Sequence, residues 1–124
     1  MNSTAVVKFI STLFASRIQG HIFHLQTASF AAHKALGEFY EEIEDLTDSY
    51  VEAYQGKFGQ LLMGYAPPAK YGEGDAECMQ YFLELQQFVQ TMRSLLPEET
   101  ELDNITDDIQ LLIDSTIYKL KFLH

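Results

Sequence analysis

Apolar residues recur every three or four positions along four long stretches of the chain, which is the spacing of one face of an α-helix. The stretches run over about residues 3–25, 29–54 and 75–96, and from residue 103 or 104 towards the end. No stretch of useful length alternates apolar and polar residues as a half-buried strand does. The pattern therefore predicts an all-α protein with four helices.

The lengths of the links between these stretches predict how the helices are arranged. The links around residues 26–28 and 97–102 are short, so each should join antiparallel neighbours. The middle link, residues 56–74, is broken by Gly and Pro and is long enough to travel the length of a bundle, and residues 60–63 within it suit one turn of helix. Two antiparallel hairpins joined by a long crossover form a ferritin-like four-helix bundle. We predict that arrangement for a single domain over residues 1–124.

The second predicted helix carries the clearest core-facing seam. Its apolar residues follow in steps of four and three, as in a bundled helix: Ala32, Leu36, Phe39, Ile43, Leu46, Tyr50 and Ala53. Gln55 and Gly56 are expected to end this helix, and Asp75 is expected to cap the start of the third. Cys78 is the only cysteine and lies in an apolar stretch, which predicts a buried structural thiol.

Composition narrows the classes of partner. The net charge is −10 and only eight residues are Lys or Arg, which argues against nucleic acid because phosphate binding depends on such cations. No apolar run approaches the roughly eighteen residues of a membrane span. The apolar run near the start is interrupted by Ser11 and Thr12 and lacks a convincing cleavage site. We therefore expect a soluble, cytoplasmic protein without a membrane or nucleic-acid partner.

Histidines and carboxylates form the candidate functional site. His21, His24 and His33 cluster at one end of the first predicted hairpin, and Asp48 and Glu52 follow on the second helix. The two carboxylates are four residues apart, so they share one helix face, and that face lies away from the core seam. Fifteen residues of helix separate His33 from Asp48, about 22 Å at 1.5 Å per residue, which no single ion spans. Either the pattern is accidental or a second subunit supplies the carboxylates.

The segment GHIFHLQTASFAAHKALGEFYEEIEDLTDSYVEAY resembles the signature region of Dps, the small ferritin-like proteins that oxidise and store iron in bacteria. The tail DNITDDIQLLIDSTIYKLKFLH is similar to the last helix of that family. The resemblance implies a homo-oligomer, at least a two-fold dimer, with a ferroxidase-like site between subunits. His24 and His33 of one chain and Asp48 and Glu52 of the other would bind iron. His21 replaces His24 if the family spacing is retained, although the HIFH pattern favours His24.

Two departures from the Dps pattern keep a second hypothesis open. Gly37 stands where the family carries an acidic ligand, four residues after the second histidine, and the basic N-terminal arm used for DNA binding is missing. The short chain is nearer to small ferritin-like proteins of phage type. One hypothesis is therefore Dps-like iron binding and iron(II) oxidation. The other is a metal-free ferritin-like interaction or structural module, and a zinc site without redox chemistry is a less favoured third.

Overall fold

The computed structural model describes residues 3–124 and contains four α-helices in that part of the chain. These are α1 (Thr4–Gln26), α2 (Phe30–Phe58), α3 (Gly74–Met92) and α4 (Thr100–Phe122), with a 3₁₀ turn, Arg93–Leu95, after α3. No strand occurs in the described residues, which confirms the predicted all-α class. The first two residues of the predicted domain lie outside the described residues. None of the described helices is both long enough and apolar enough to cross a membrane.

The predicted end of the second helix at Gln55 and Gly56 is wrong. The helix continues through both residues to Phe58, and Gly59 ends it in the left-handed conformation at φ 64°. The Gly59 N–H donates to the carbonyl oxygen of Gln55 at 2.9 Å, which closes the last turn. A glycine inside a helix only lowers helix propensity, whereas one just past the end supplies a backbone conformation that other residues avoid.

Three further boundaries differ from the prediction. The N-cap of α3 is Glu73, so that Asp75 lies in the first turn, and regular helix ends at Met92 because the following residues tighten into the 3₁₀ turn. The fourth helix begins at Thr100, a few residues earlier than predicted, with Glu101 in a first turn that favours acidic side chains. Residues 60–63 form no helical turn.

The four helices share one hydrophobic core. At its centre the buried Phe39 ring meets Phe82 of α3 edge to face, with ring centroids 4.9 Å apart. The predicted seam of α2 is confirmed, since four of its seven residues are buried and three pack partly buried against the core: Leu36, Phe39, Ile43 and Tyr50, then Ala32, Leu46 and Ala53. Cys78 is buried as predicted, and burial raises the pKa of its thiol to about 12.

The segment between α2 and α3 runs along α1 from Ser11 to Gln26. The Ala66 N–H donates to Ser11 Oγ at 3.0 Å, and Gly72 exchanges two hydrogen bonds with the Gln19 side chain, at 2.7 and 2.9 Å. At the start of α3, a backbone N–H donates to Gln26 Oε1 at 2.8 Å. Because these partners follow α1 in order towards its C-terminus, α3 begins at the same end of the molecule as α2.

Ion pairs show the direction of α4 relative to α2. Lys119 Nζ lies 2.9 Å from Glu38 Oε2 near the start of α2, and Lys57 Nζ lies 2.7 Å from Glu101 Oε1 near its end. The two helices are therefore antiparallel. Helix α1 packs against α2 and α3, and α4 also packs against α2 and α3. Both ion pairs are exposed to solvent, so they indicate the helix direction but contribute little to stability.

Tyr50→Phe should raise the free energy of unfolding by about 1 kcal/mol, because it removes a buried hydroxyl that has no hydrogen-bond partner. The Tyr50 side chain is fully buried, and its hydroxyl lacks a partner among residues 3–124. Urea unfolding followed by circular dichroism measures the change. Tyr118→Phe is the control, since that ring is 55% exposed and its hydroxyl can bond to water. Lower stability of Tyr50→Phe would contradict the prediction.

Candidate functional site

The three clustered histidines lie at the connection between α1 and α2. His24 is in the last turn of α1, and His33 is in the first turn of α2. The turn between the helices is short because Ser29 caps α2: its Oγ accepts a hydrogen bond from Ala32 N at 3.2 Å. Ser29 N in turn donates to Thr27 Oγ1 at 3.1 Å. This capped turn brings the two histidines face to face.

His24 and His33 form a reciprocal pair that we call the histidine clasp. His24 Nδ1 lies 2.6 Å from the carbonyl oxygen of His33, and His33 Nδ1 lies 2.9 Å from the carbonyl oxygen of His24. A carbonyl can only accept, so each Nδ1 carries the proton and donates. The rings stack with centroids 3.6 Å apart and planes tilted by 20°. One of the two bonds satisfies a carbonyl in the final turn of α1, where helical carbonyls have no partner within the helix.

Gly37 and two further rings complete the surroundings of the clasp. A Cβ at Gly37 would lie 3.1 Å from His24 Cε1 and 3.3 Å from His24 Nδ1, so glycine leaves the space that the His24 ring occupies. His21 stacks on Tyr40 with centroids 4.4 Å apart, and Tyr40 turns its edge to His24 at 5.4 Å. The histidines therefore belong to a cluster of four packed rings.

Asp48 and Glu52 lie elsewhere on α2. Both are exposed, as their position off the core seam predicts. Asp48 lines a surface hollow of about 370 Å³ between α1 and α2, beside the ion pair of Arg17 with Glu44 at 2.9 Å. Within one chain the structure thus brings together His24 and His33 but not the carboxylates. Among the described residues no group of three or more His, Cys, Asp or Glu side chains is arranged to hold a metal ion.

The clasp geometry does not fit a shared metal ion. A metal binds an imidazole nitrogen close to the ring plane, at about 2.1 Å. The rings of His24 and His33 are stacked, and their planes are tilted by only 20°. The two planes therefore do not meet within a metal–nitrogen bond length, and one ion cannot lie close to both. Each Nδ1 is also occupied by a carbonyl, which leaves Nε2 as the free nitrogen of each ring. Joint coordination of one ion therefore requires at least one ring to leave its place in the clasp.

Sequence reasoning identified the histidines but missed Gly37 and Tyr40 as parts of the site. Gly37 was noted only as a missing acidic ligand. A glycine in the middle of a long helix costs about 1 kcal/mol relative to Ala, and that cost is the signal of a close approach by another group. Tyr40 carries no comparable signal, because an aromatic residue beside a helix seam is common in any bundle.

Comparison with known proteins identifies relatives without an assigned activity. The model of a family described as "Family of unknown function (DUF5856)" matches residues 24–120, which include His24 and all of α2 and α3. An "Uncharacterized 14.6 kDa protein in mobD-ri intergenic region" of Enterobacteria phage T4 is 32% identical over 62 residues. That segment is 50% of this chain and 48% of the phage protein, so the chain spans about half the length of this relative. No solved structure matches the chain.

Proposed function

The chain belongs to the family of unknown function DUF5856, and we propose that it is a metal-free helical interaction module of phage type. In this proposal the protein acts by binding other proteins through its surface. The histidine clasp is the observation that carries the proposal. The rings are stacked with nearly parallel planes, so their free Nε2 atoms are not aimed at a common ion, and the two Nδ1–H bonds to backbone carbonyls join α1 to α2.

The proposal includes a ferritin-like arrangement of the four helices. Its support is the order of contacts: α1 packs on α2, α3 packs on α4, and the segment between the two hairpins follows α1 over most of its length. A bundle of this kind can lose its metal site and keep its core, because the side chains that bind metal contribute little apolar burial. The fold is then a rigid support for exposed helix faces.

An aerobic iron(II) titration of the purified protein tests the metal-free proposal. The expected result is oxidation no faster than in a buffer control, with no iron retained after desalting. Metal analysis of the protein as purified should likewise find no bound iron or zinc in proportion to the chain. Stoichiometric iron uptake, with oxidation faster than the control, would overturn the proposal.

Histidine variants separate a structural role from a ligand role. His33→Ala should lower the free energy of unfolding by about 2 kcal/mol, because it removes the hydrogen bond from Nδ1 and the ring stack. His33→Asn should recover roughly half of that loss, because the Asn amide nitrogen can donate where Nδ1 does. Urea unfolding measures both changes, and His124→Ala is the control at the exposed C-terminus.

The two roles of His33 predict different outcomes for these variants. If His33 binds a metal through Nε2, His33→Ala and His33→Asn both remove that metal ligand. Equal stability of the two variants and the parent protein, together with loss of metal uptake in both, would refute the structural role. A graded loss of stability without any metal signal would support it.

The second candidate function is the iron site between two subunits, with His24 and His33 of one chain and Asp48 and Glu52 of the other. The hollow beside Asp48 favours it, because Phe14 and Ile18 are 39% and 44% exposed there and a second copy can cover them. It requires at least one of the two histidines to leave the clasp when iron binds. The titration above tests this candidate. Iron uptake by a protein that sediments as a dimer, together with loss of that uptake in Asp48→Asn, would favour the shared site.

A further inference from the structure

An open groove runs along the outer face of the molecule between α2 and α4. Its larger part has a volume of about 490 Å³ and is lined by small and apolar side chains, among them Ala35, Leu112 and Thr116. The ion pair of Lys119 with Glu38 lies across the groove. Beyond this ion pair, a second hollow of about 320 Å³ continues to Phe30 at the start of α2.

The residues that line the two hollows repeat at helical spacing, so the hollows follow one another along α2 and α4. On α2 they follow in steps of three or four from residue 31 to residue 45, a distance of about 21 Å at 1.5 Å per residue. On α4 they follow in the same steps from residue 108 to residue 123. A groove of this length between two antiparallel helices can accommodate a third helix of about four turns.

The larger part of the groove has an acidic rim. Glu42, Asp45 and Asp108 line it, and within residues 3–124 none of these carboxylates has an ion-pair partner. Glu38 differs, because its hydrogen bond to Lys119 lowers the pKa of that carboxyl and the Lys119 ammonium compensates its negative charge. Between the acids, Leu111 is 67% exposed to solvent. The groove thus offers an apolar surface flanked by three uncompensated negative charges.

We propose that the α2–α4 groove binds an amphipathic, basic α-helix of another protein. The apolar face of that helix would cover Leu111 and the groove floor, and its Lys or Arg side chains would pair with Glu42, Asp45 and Asp108. Charge complementarity selects this partner: nucleic acid is repelled by the rim, and a purely apolar helix would leave three carboxylates desolvated without a partner. The inference rests on the proposed interaction function and names its partner.

A synthetic peptide provides the probe. A sixteen-residue helix with Leu on one face and Lys on its two flanks should bind the protein, as measured by fluorescence anisotropy of a labelled peptide. A scrambled peptide of the same composition, which has no apolar face, should bind at least roughly ten-fold more weakly. Binding of the helical peptide should also weaken with added salt, since its charged contacts lie at a solvent-exposed rim.

Leu111→Asp distinguishes groove binding from general attraction between a basic peptide and an acidic protein. This variant makes the protein more negative, so general attraction would increase. Occupation of the groove predicts the opposite, a loss of affinity of at least roughly ten-fold, because Leu111 lies under the apolar face of the peptide. Leu83→Asp is the matched control, since it adds the same charge at a leucine on α3 that is 42% exposed. The affinity of this variant for the peptide should stay within about two-fold of that of the parent protein.

A second pair of variants tests the acidic rim. Asp108→Lys should weaken peptide binding roughly ten-fold, whereas Glu84→Lys, an equal charge change on α3, should weaken it far less. Equal effects within either pair, or equal binding of the scrambled peptide, would overturn the proposal. So would a self-associated parent protein that Leu111→Asp converts to a monomer in sedimentation velocity, since the groove would then bind a second copy. Iron uptake in the titration above would instead defeat the proposed function itself.

Discussion

Gly20→Val should lower the free energy of unfolding by about 3 kcal/mol, because Gly20 of α1 packs directly against the Phe39 ring of α2. A Cβ at this position would lie 3.0 Å from Cδ2 of Phe39 and 3.6 Å from Cβ of Tyr40. The Phe39 ring is fully buried and packed edge to face against Phe82, so it cannot move aside without opening the core. Urea unfolding followed by circular dichroism gives the change in stability.

The matched control for this prediction is Gly56→Ala, another glycine within a helix. Nothing lies within 4 Å of a Cβ built at Gly56, so the substitution gains helix propensity without a clash. It should raise the free energy of unfolding by about 0.5–1 kcal/mol. Opposite signs for the two variants would establish that space, and not helix propensity, decides the effect at Gly20. A stable Gly20→Val protein would contradict the close packing of α1 on α2.

Helix content and the core face of α2 were predictable from the sequence because both follow from local spacing. A seam in steps of four and three needs no knowledge of the partner helices, and the buried residues Leu36, Phe39, Ile43 and Tyr50 follow it. The exposed positions of Asp48 and Glu52 follow from the same spacing, since residues off the seam face away from the core. Periodicity thus separates the buried residues of α2 from its exposed carboxylates.

The end of α2 was not predictable in the same way, because two glycines close together have different roles. Gly56 and Gly59 are equally plausible helix ends by residue type. Packing decides between them: Tyr54 is buried, and Phe58 contacts it with ring centroids 4.8 Å apart, which extends helical packing beyond Gly56. Tertiary contacts of this kind override local stop signals, and one sequence does not reveal them.

The proximity of His24 and His33 was predictable, but their chemistry was not. Their positions on either side of a short turn place them at the same end of one hairpin. Whether two imidazoles can share a metal depends on where their free nitrogens point, and that depends on the rotamers and on the groups that hold the other nitrogen. In this protein each ring donates from Nδ1 to the carbonyl oxygen of the other residue. In the sequence, only the glycine at position 37 indicates that the His24 ring packs against α2.

Gly37 bears on both the iron-binding and the metal-free hypothesis. An acidic side chain at this position would be a metal ligand, whereas glycine leaves room for the His24 ring. The resemblance to Dps places an acidic ligand there, and the glycine was first interpreted as the loss of that ligand. In the structure the same glycine is needed by the clasp, since a Cβ would lie 3.1 Å from His24 Cε1. An acid at this position therefore requires the His24 ring to shift from its observed place.

Gly37→Glu should lower the free energy of unfolding by about 2 kcal/mol in the parent protein. The new Cβ and carboxylate displace the His24 ring, which loses its hydrogen bond to the carbonyl oxygen of His33 and its stack on the His33 ring. These losses amount to about 2–3 kcal/mol, and they exceed the gain of up to about 1 kcal/mol from replacing a glycine within a helix. Urea unfolding of both proteins measures the difference.

The same substitution should have the opposite sign when His24 is replaced by Ala. Without the imidazole there is no ring to displace, so Gly37→Glu then keeps only its gain in helix propensity and should raise the free energy of unfolding by about 0.5–1 kcal/mol. The change of sign isolates the contact between Gly37 and His24, because every other effect of the glutamate is common to both backgrounds. Destabilisation of the same size in both backgrounds would mean that the glycine serves another purpose, and the clasp would lose its explanation for Gly37.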